Sequence, residues 1–323
     1  MTRPLRFGLQ IPSFTYPGGP GEIFETVATA ATTAEEAGFD TVLVMDHFYQ
    51  IGFVGRSDEP MLEAYTLLGA LAARTRTVRL GTLVTGVTYR NPAMLAKIVT
   101  TLDVISGGRA LLGIGAAWND EEHTGYGFRF PGVGERMERL EEALEICRVM
   151  FAGGRPSFSG RHYHIDRAYN EPGPISSPHP PILVGGGGER RTLRLAARYA
   201  DITNFFGDPS AIAAKLAVLR GHCEREGRDP SELTNTTLVT VVIGATADDA
   251  ARTGAEIRAR RGLDEATYRA SHIVGDPGQV GDQLAAYFAA GLDGIIVNLP
   301  DAHRPETVAL LGATLTERFG PGA

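Results

Sequence analysis

Short apolar, β-branched runs alternate with stretches of helical periodicity along nearly the whole chain, and this alternation restricts the fold more than any other feature. The runs are Phe7–Ile11, Thr41–Met45, Val78–Thr85, Ala110–Gly115, Pro181–Val184, Ile202–Phe206, Leu238–Ile243 and Gly294–Leu299. Between them lie helical patterns over 22–37 (Ile23, Val27, Ala30 and Ala34 on one face), 61–74, 134–151, 189–199 and about 210–226. Asn91-Pro92 and Asp276-Pro277 read as N-cap and first helical residue of two more, and a last helix runs to about Arg318. Strands separated by helices pair in parallel through right-handed crossovers. Near-continuous apolar strands suit a sheet buried on both faces. An open doubly wound sheet shows the same alternation. Eight units without a break in composition favour a closed (β/α)8 TIM barrel forming one domain over 1–323. Such a barrel needs roughly 250 residues. The surplus is expected as insertions at 152–180, with a hairpin over Ser157–Ile165, and at 259–275, the second placed to cover a pocket as a lid.

Composition removes several classes. Cys147 and Cys223, the only cysteines, sit in helical patterns, so a disulfide framework is not expected. No run reaches the roughly 18 apolar residues of a membrane span. Met1–Pro12 lacks the apolar core of a signal peptide, so a cytoplasmic protein is expected. A net charge of −7 argues against a general nucleic-acid binder.

In a TIM barrel the active site lies where the strands end. Asp46-His47 follows the second strand. A carboxylate beside an imidazole can fix a tautomer, accept a hydrogen bond from a cofactor hydroxyl or transfer a proton. The plainer alternative is an aspartate that caps a loop and a histidine that packs on the rim. Gly185-Gly186-Gly187-Gly188 joins a strand to a helix, where bare amides admit a phosphate, or where glycine simply permits a tight turn. Gly113 to Ala117 leaves room for a flat ring that Trp118, the only tryptophan, would wall. Close strand packing explains the same small residues. His162 and His164 share a face of the hairpin but lack carboxylate or cysteine partners, so no metal site is expected. No nucleophile-elbow motif is present.

At these strand ends the sequence resembles the luciferase-like monooxygenase superfamily. The matching stretches are GFDTVLVMDHF (38–48), RLGTLVTGVTYRNP (79–92), GGRALLGIGAAWNDEEHTGYGF (107–128), ERMERLEEALEI (135–146), PPILVGGGGERRTLRLAARYADITN (180–204) and AAGLDGIIVNL (289–299). The resemblance is nearest to the branch that uses the deazaflavin coenzyme F-420, with FMN-dependent monooxygenases as the alternative. It implies a barrel holding a flavin-like ring across its mouth and small organic substrates. Homodimers are implied as well. Asp46 and His47 match the pair beside the ring, with His47, oriented by Asp46, relaying a proton. Leu83, Val84 and Thr85 match the bulge after the third strand, where relatives carry a non-proline cis peptide. Ala116 and Ala117 match residues beside the ring, and Gly185, Gly186, Gly187 and Gly188 the loop near the phosphate tail. The chain departs from the family's sugar-phosphate dehydrogenases at Trp118 and at Phe205-Phe206, which implies a less polar substrate pocket lined by those three aromatics. A flavin-binding protein without catalysis is the reading from another class.

Overall fold

The computed structural model describes residues 6–320, so the expectation for Met1–Pro12 rests partly on residues outside them. Eight parallel strands close on themselves: β1 (Phe7–Ile11), β2 (Thr41–Val44), β3 (Arg79–Thr82), β4 (Ala110–Gly115), β5 (Ile182–Gly185), β6 (Ile202–Asn204), β7 (Thr234–Ile243) and β8 (Gly294–Asn298). Closure runs β6 to β7 (Thr203↔Asn235), β7 to β8 (Leu238↔Ile296) and β8 to β1 (Asn298↔Gln10).

The two-residue period of a strand sorts the apolar side chains. Leu43, Leu111, Leu183, Ile202 and Ile296 point inward and fill the barrel. Their neighbours Val42, Val44, Leu112, Ile182, Val184, Ile295 and Val297 point outward, into the core beneath the helices. Inward positions continue upward from Leu111 to Gly113 and Gly115. A Cβ at Gly113 would stand 1.8 Å from the Thr82 carbonyl oxygen, so only glycine lets β3 and β4 approach as they do. Asn91 and Asp276 cap their helices as the sequence predicts, the latter in a capping box with Gln279.

Three segments depart from the expected pattern. β7 begins at Thr234 rather than Leu238, because a polar Thr-Asn-Thr-Thr run looks like a loop. Two of its hydroxyls are satisfied across the ladder, Thr236 donating to Thr203 O (2.6 Å) and Thr237 to Phe205 O (2.8 Å). After β7 a helix runs over Ala247–Arg261 that the sequence conceals, since it buries only Ala250, Gly254 and Ile257. The 259–275 segment is that helix's last turn, a short helix (Glu265–Ser271) and a strand (His272–Gly275) parallel to Thr240–Ile243 of β7. In the other segment, 152–180, Phe158 pairs with Ile165 in an antiparallel hairpin.

Candidate active site

Asp46 and His47 leave β2 at the mouth of the barrel, both buried, and their side chains take different partners. Asp46 makes a two-pronged ion pair with Arg90, whose Nη2 lies 3.1 Å from Oδ1. Arg90 also reaches Glu63 and lies over the Tyr65 ring at 4.8 Å. The Tyr65 hydroxyl bonds Thr85 (2.8 Å), Thr85 bonds Thr82 (3.0 Å), and Thr82 donates to Gly113 O (3.0 Å). Burial pushes the Asp46 carboxyl above the usual aspartate range while Arg90 pulls it back down.

His47 is therefore not oriented by Asp46, as the adjacent pair suggests. Consecutive residues leaving a strand point opposite ways, and the His47 Nδ1 lies 2.7 Å from Glu122 Oε1. Glu122 is fully buried on the short helix Asp120–Tyr126. It accepts from the Phe48 amide (2.8 Å), the Tyr49 amide (3.3 Å) and the Tyr89 hydroxyl. Burial raises the Glu122 carboxyl, but His47, Tyr89 and the Phe48 amide outweigh it and hold it below the usual glutamate range. The Tyr89 hydroxyl is pushed up by burial and by Glu122. Among the described residues His47 Nε2 makes no hydrogen bond, so the array presents one free imidazole nitrogen. Sequence reasoning missed Glu122, Tyr89 and Arg90.

Small residues keep the ends of β4 and β5 low at the mouth of the barrel. The Leu83–Val84 peptide is cis, at the bulge between β3 and Thr85-Gly86. A Cβ at Gly115 or Gly185 would stand 2.9 Å from a Val84 methyl, so both glycines make room for Val84. Ala116 follows β4 half-buried, and Ala117 takes a left-handed backbone with φ 62°. Gln10 donates to Leu83 O (2.9 Å). Its Oε1 and Asn298 Oδ1, on paired ends of β1 and β8, are buried without a partner among the described residues. Such acceptors call for a donor from a ligand or water.

Trp118 is half-exposed, with its ring edge-on to His47 at 5.5 Å and Phe53 beyond at 6.1 Å. Phe206 is exposed. Phe205 is not a pocket residue: it is wholly buried in the core beneath the helices, because the alternation that turns Ile202 inward turns Phe205, three residues on, outward. The helix after the Gly185–Gly188 loop begins at Thr192, and its first turn lies against the loop, the Leu193 amide donating to Gly188 O (3.1 Å). Lys215, from the helix Pro209–Glu226, donates to Gly187 O (3.0 Å) and brings a cation to that loop.

The chain is 37% identical over 221 residues to the F420-dependent glucose-6-phosphate dehydrogenase of Microbacterium testaceum, a match covering 67% of this chain and 61% of that one. It is 31% identical over 238 residues to the pyrimidine monooxygenase RutA of Stutzerimonas stutzeri, covering 71% and 63%. Both matches thus span about three fifths of the relative's length. The coenzyme F420-dependent tetrahydromethanopterin reductase of Methanopyrus kandleri superposes with a TM-score of 0.80 at 19% identity, covering 98% of this chain and all of that one, which establishes the shared fold. A sequence model of the luciferase-like monooxygenase family matches residues 5–261, and the chain belongs to that family.

Proposed function

We propose that this protein is an oxidoreductase that uses the deazaflavin coenzyme F-420 to exchange a hydride with a small organic substrate. The observation that carries the reading is the buried Tyr89–Glu122–His47 array, which holds one imidazole nitrogen and leaves the other without a partner among the described residues. The residues present fit a flat ring: Gly115 and Gly185 keep the floor around Val84 low, and Gln10 Oε1 and Asn298 Oδ1 lack donors among the described residues. Asp46, Leu83, Val84, Thr85, Ala116 and Ala117 would hold the ring, and Gly185 to Gly188 with Lys215 its phosphate tail. When bound, the coenzyme supplies a two-electron hydride centre. His47 Nε2 takes the proton that leaves a substrate hydroxyl on oxidation, or returns it on reduction. Glu122 keeps the imidazole in the tautomer that can do so. Trp118 and Phe206 form the apolar rim. The choice of deazaflavin leans on the relative at 37% identity.

The relative named as a pyrimidine monooxygenase favours a second reading, FMN with molecular oxygen. Fluorescence titration of the apo-protein with each cofactor separates the two. At least tenfold tighter binding of the deazaflavin, about 1.4 kcal/mol, is expected. Tighter FMN binding, with oxygen uptake coupled to product, would overturn the hydride reading. We also propose a homodimer, which sedimentation would reveal as twice the chain mass.

A further inference from the structure

A cavity of about 320 Å³ opens between the loops after β1 and β8, the loop after β2, and the end of the helix Ala247–Arg261. Its walls include Ser13, Tyr16, Glu59, Arg260, Arg261 and His303. The arginines are the informative residues. Arg252 and Arg258, on the same helix, pair with Asp249 and Glu265. Among the described residues no carboxylate pairs with Arg260 or Arg261. Arg261 is partly buried, reaches the Phe53 carbonyl only at 3.5 Å, and has a buried Nε with no partner. Burial and the like charge of Arg260 both work against its guanidinium.

Glu59, across the cavity, offsets part of this charge without forming an ion pair. Glu59 accepts from Thr15 (3.0 Å) and the Arg56 amide (3.2 Å), and Arg56 pairs with Asp58 at 2.7 Å. Near Arg261 lie further unpartnered buried atoms, Tyr268 Oη and His272 Nε2. A buried cation with donors unspent is costly unless something anionic joins it. A guanidinium fork matches carboxylate and phosphate oxygens.

We infer that this cavity binds the carboxylate or phosphate group of the organic substrate, with Arg261 as its direct partner and Arg260 beside it. An anionic substrate then replaces the less polar one that Trp118 and the two phenylalanines suggest. The apolar body of the molecule would lie toward Trp118, whose neighbour Phe53 belongs to the loop lining the cavity. Only the word substrate rests on the redox reading. Anion binding stands without it.

The test titrates the apo-protein with inorganic phosphate and with succinate at constant ionic strength, following heat and Trp118 emission. Saturable binding is expected, absent with chloride or succinamide, with the dissociation constant raised at least tenfold in Arg261→Gln and partly restored in Arg261→Lys. Arg260→Ala, at an exposed position, gives a smaller loss and serves should Arg261→Gln fold poorly. No saturable binding by the wild type, or equal binding by the wild type and both glutamine and alanine variants, would overturn the assignment. A parallel deazaflavin titration separates the two anion sources. Unchanged cofactor affinity in Arg261→Gln supports the substrate, and an equal tenfold loss assigns the cavity to the cofactor's tail and overturns it. If neither protein binds deazaflavin while the anion response persists, the redox reading fails and the anion site stands.

Discussion

Glu122 reaches His47 across 75 residues of chain, and the pair does together what neither does alone. An unanchored imidazole rotates and exchanges tautomers. A carboxylate on Nδ1 fixes both and leaves Nε2 to meet a proton. Glu122→Gln keeps the size and loses the charge, so turnover should fall roughly a hundredfold while deazaflavin affinity holds, within the usual span of acid–base contributions. His47→Ala should lower turnover at least as far. Unchanged turnover in His47→Ala would remove the imidazole from the chemistry. Stability carries its own sign. The Glu122 carboxyl titrates lower folded than unfolded, so its contribution is complete above the unfolded glutamate value and fades as pH falls through the folded one. Urea denaturation of wild type should therefore weaken between those two values, and Glu122→Gln should flatten that part of the profile. The strand-end rule singles out Asp46 and His47 from sequence. It cannot single out Glu122, which sits in the run Asp120-Glu121-Glu122, where nothing local says which carboxylate turns inward.

At the scale of elements, Arg90 ties the end of β2 to the start of the helix Ala64–Arg74, because its two partners are Asp46 and Glu63, the N-cap of that helix. Arg90→Met would leave Asp46 buried and uncompensated, at a cost of about 3–5 kcal/mol in urea denaturation. The double change with Asp46→Asn should recover much of that loss. If the single variant is as stable as wild type, the pair does not hold the mouth together. Packing sets a second constraint. Gly113→Ala places a methyl against the Thr82 carbonyl, a backbone atom that cannot step aside, and should destabilise by about 3 kcal/mol or more. The strands were legible because both of their faces are buried, which leaves short, near-continuous apolar runs between helical patterns. The helix Ala247–Arg261 was not, since its buried face is three small or medium residues among charges. Phe205 was misplaced for a different reason: each face of its strand carries an apolar residue, so the sequence alone does not say that Ile202 faces inward and Phe205 outward.

Over the whole molecule, the barrel supplies a stiff ring of strand ends, and the reacting parts are brought to it from far along the chain. His47 comes from the loop after β2, Glu122 from the short helix after β4, and Arg261 from the helix after β7. Three buried polar atoms at this end of the barrel have unspent hydrogen-bonding capacity, Gln10 Oε1, Asn298 Oδ1 and Arg261 Nε. Each costs folding free energy as it stands, on the order of 1–3 kcal/mol. A ligand that satisfies them binds the folded chain and not the unfolded one, so its binding free energy returns as stability. Saturating the protein with deazaflavin at a hundred times its dissociation constant should raise the unfolding free energy by about 2.7 kcal/mol. FMN at the same concentration, if bound at least tenfold more weakly, should raise it by about 1.4 kcal/mol or less. Thermal unfolding followed at fixed protein concentration reads both values. Equal shifts would mean that the mouth does not discriminate between the two rings, and the choice of coenzyme would then have to be made on oxygen uptake alone.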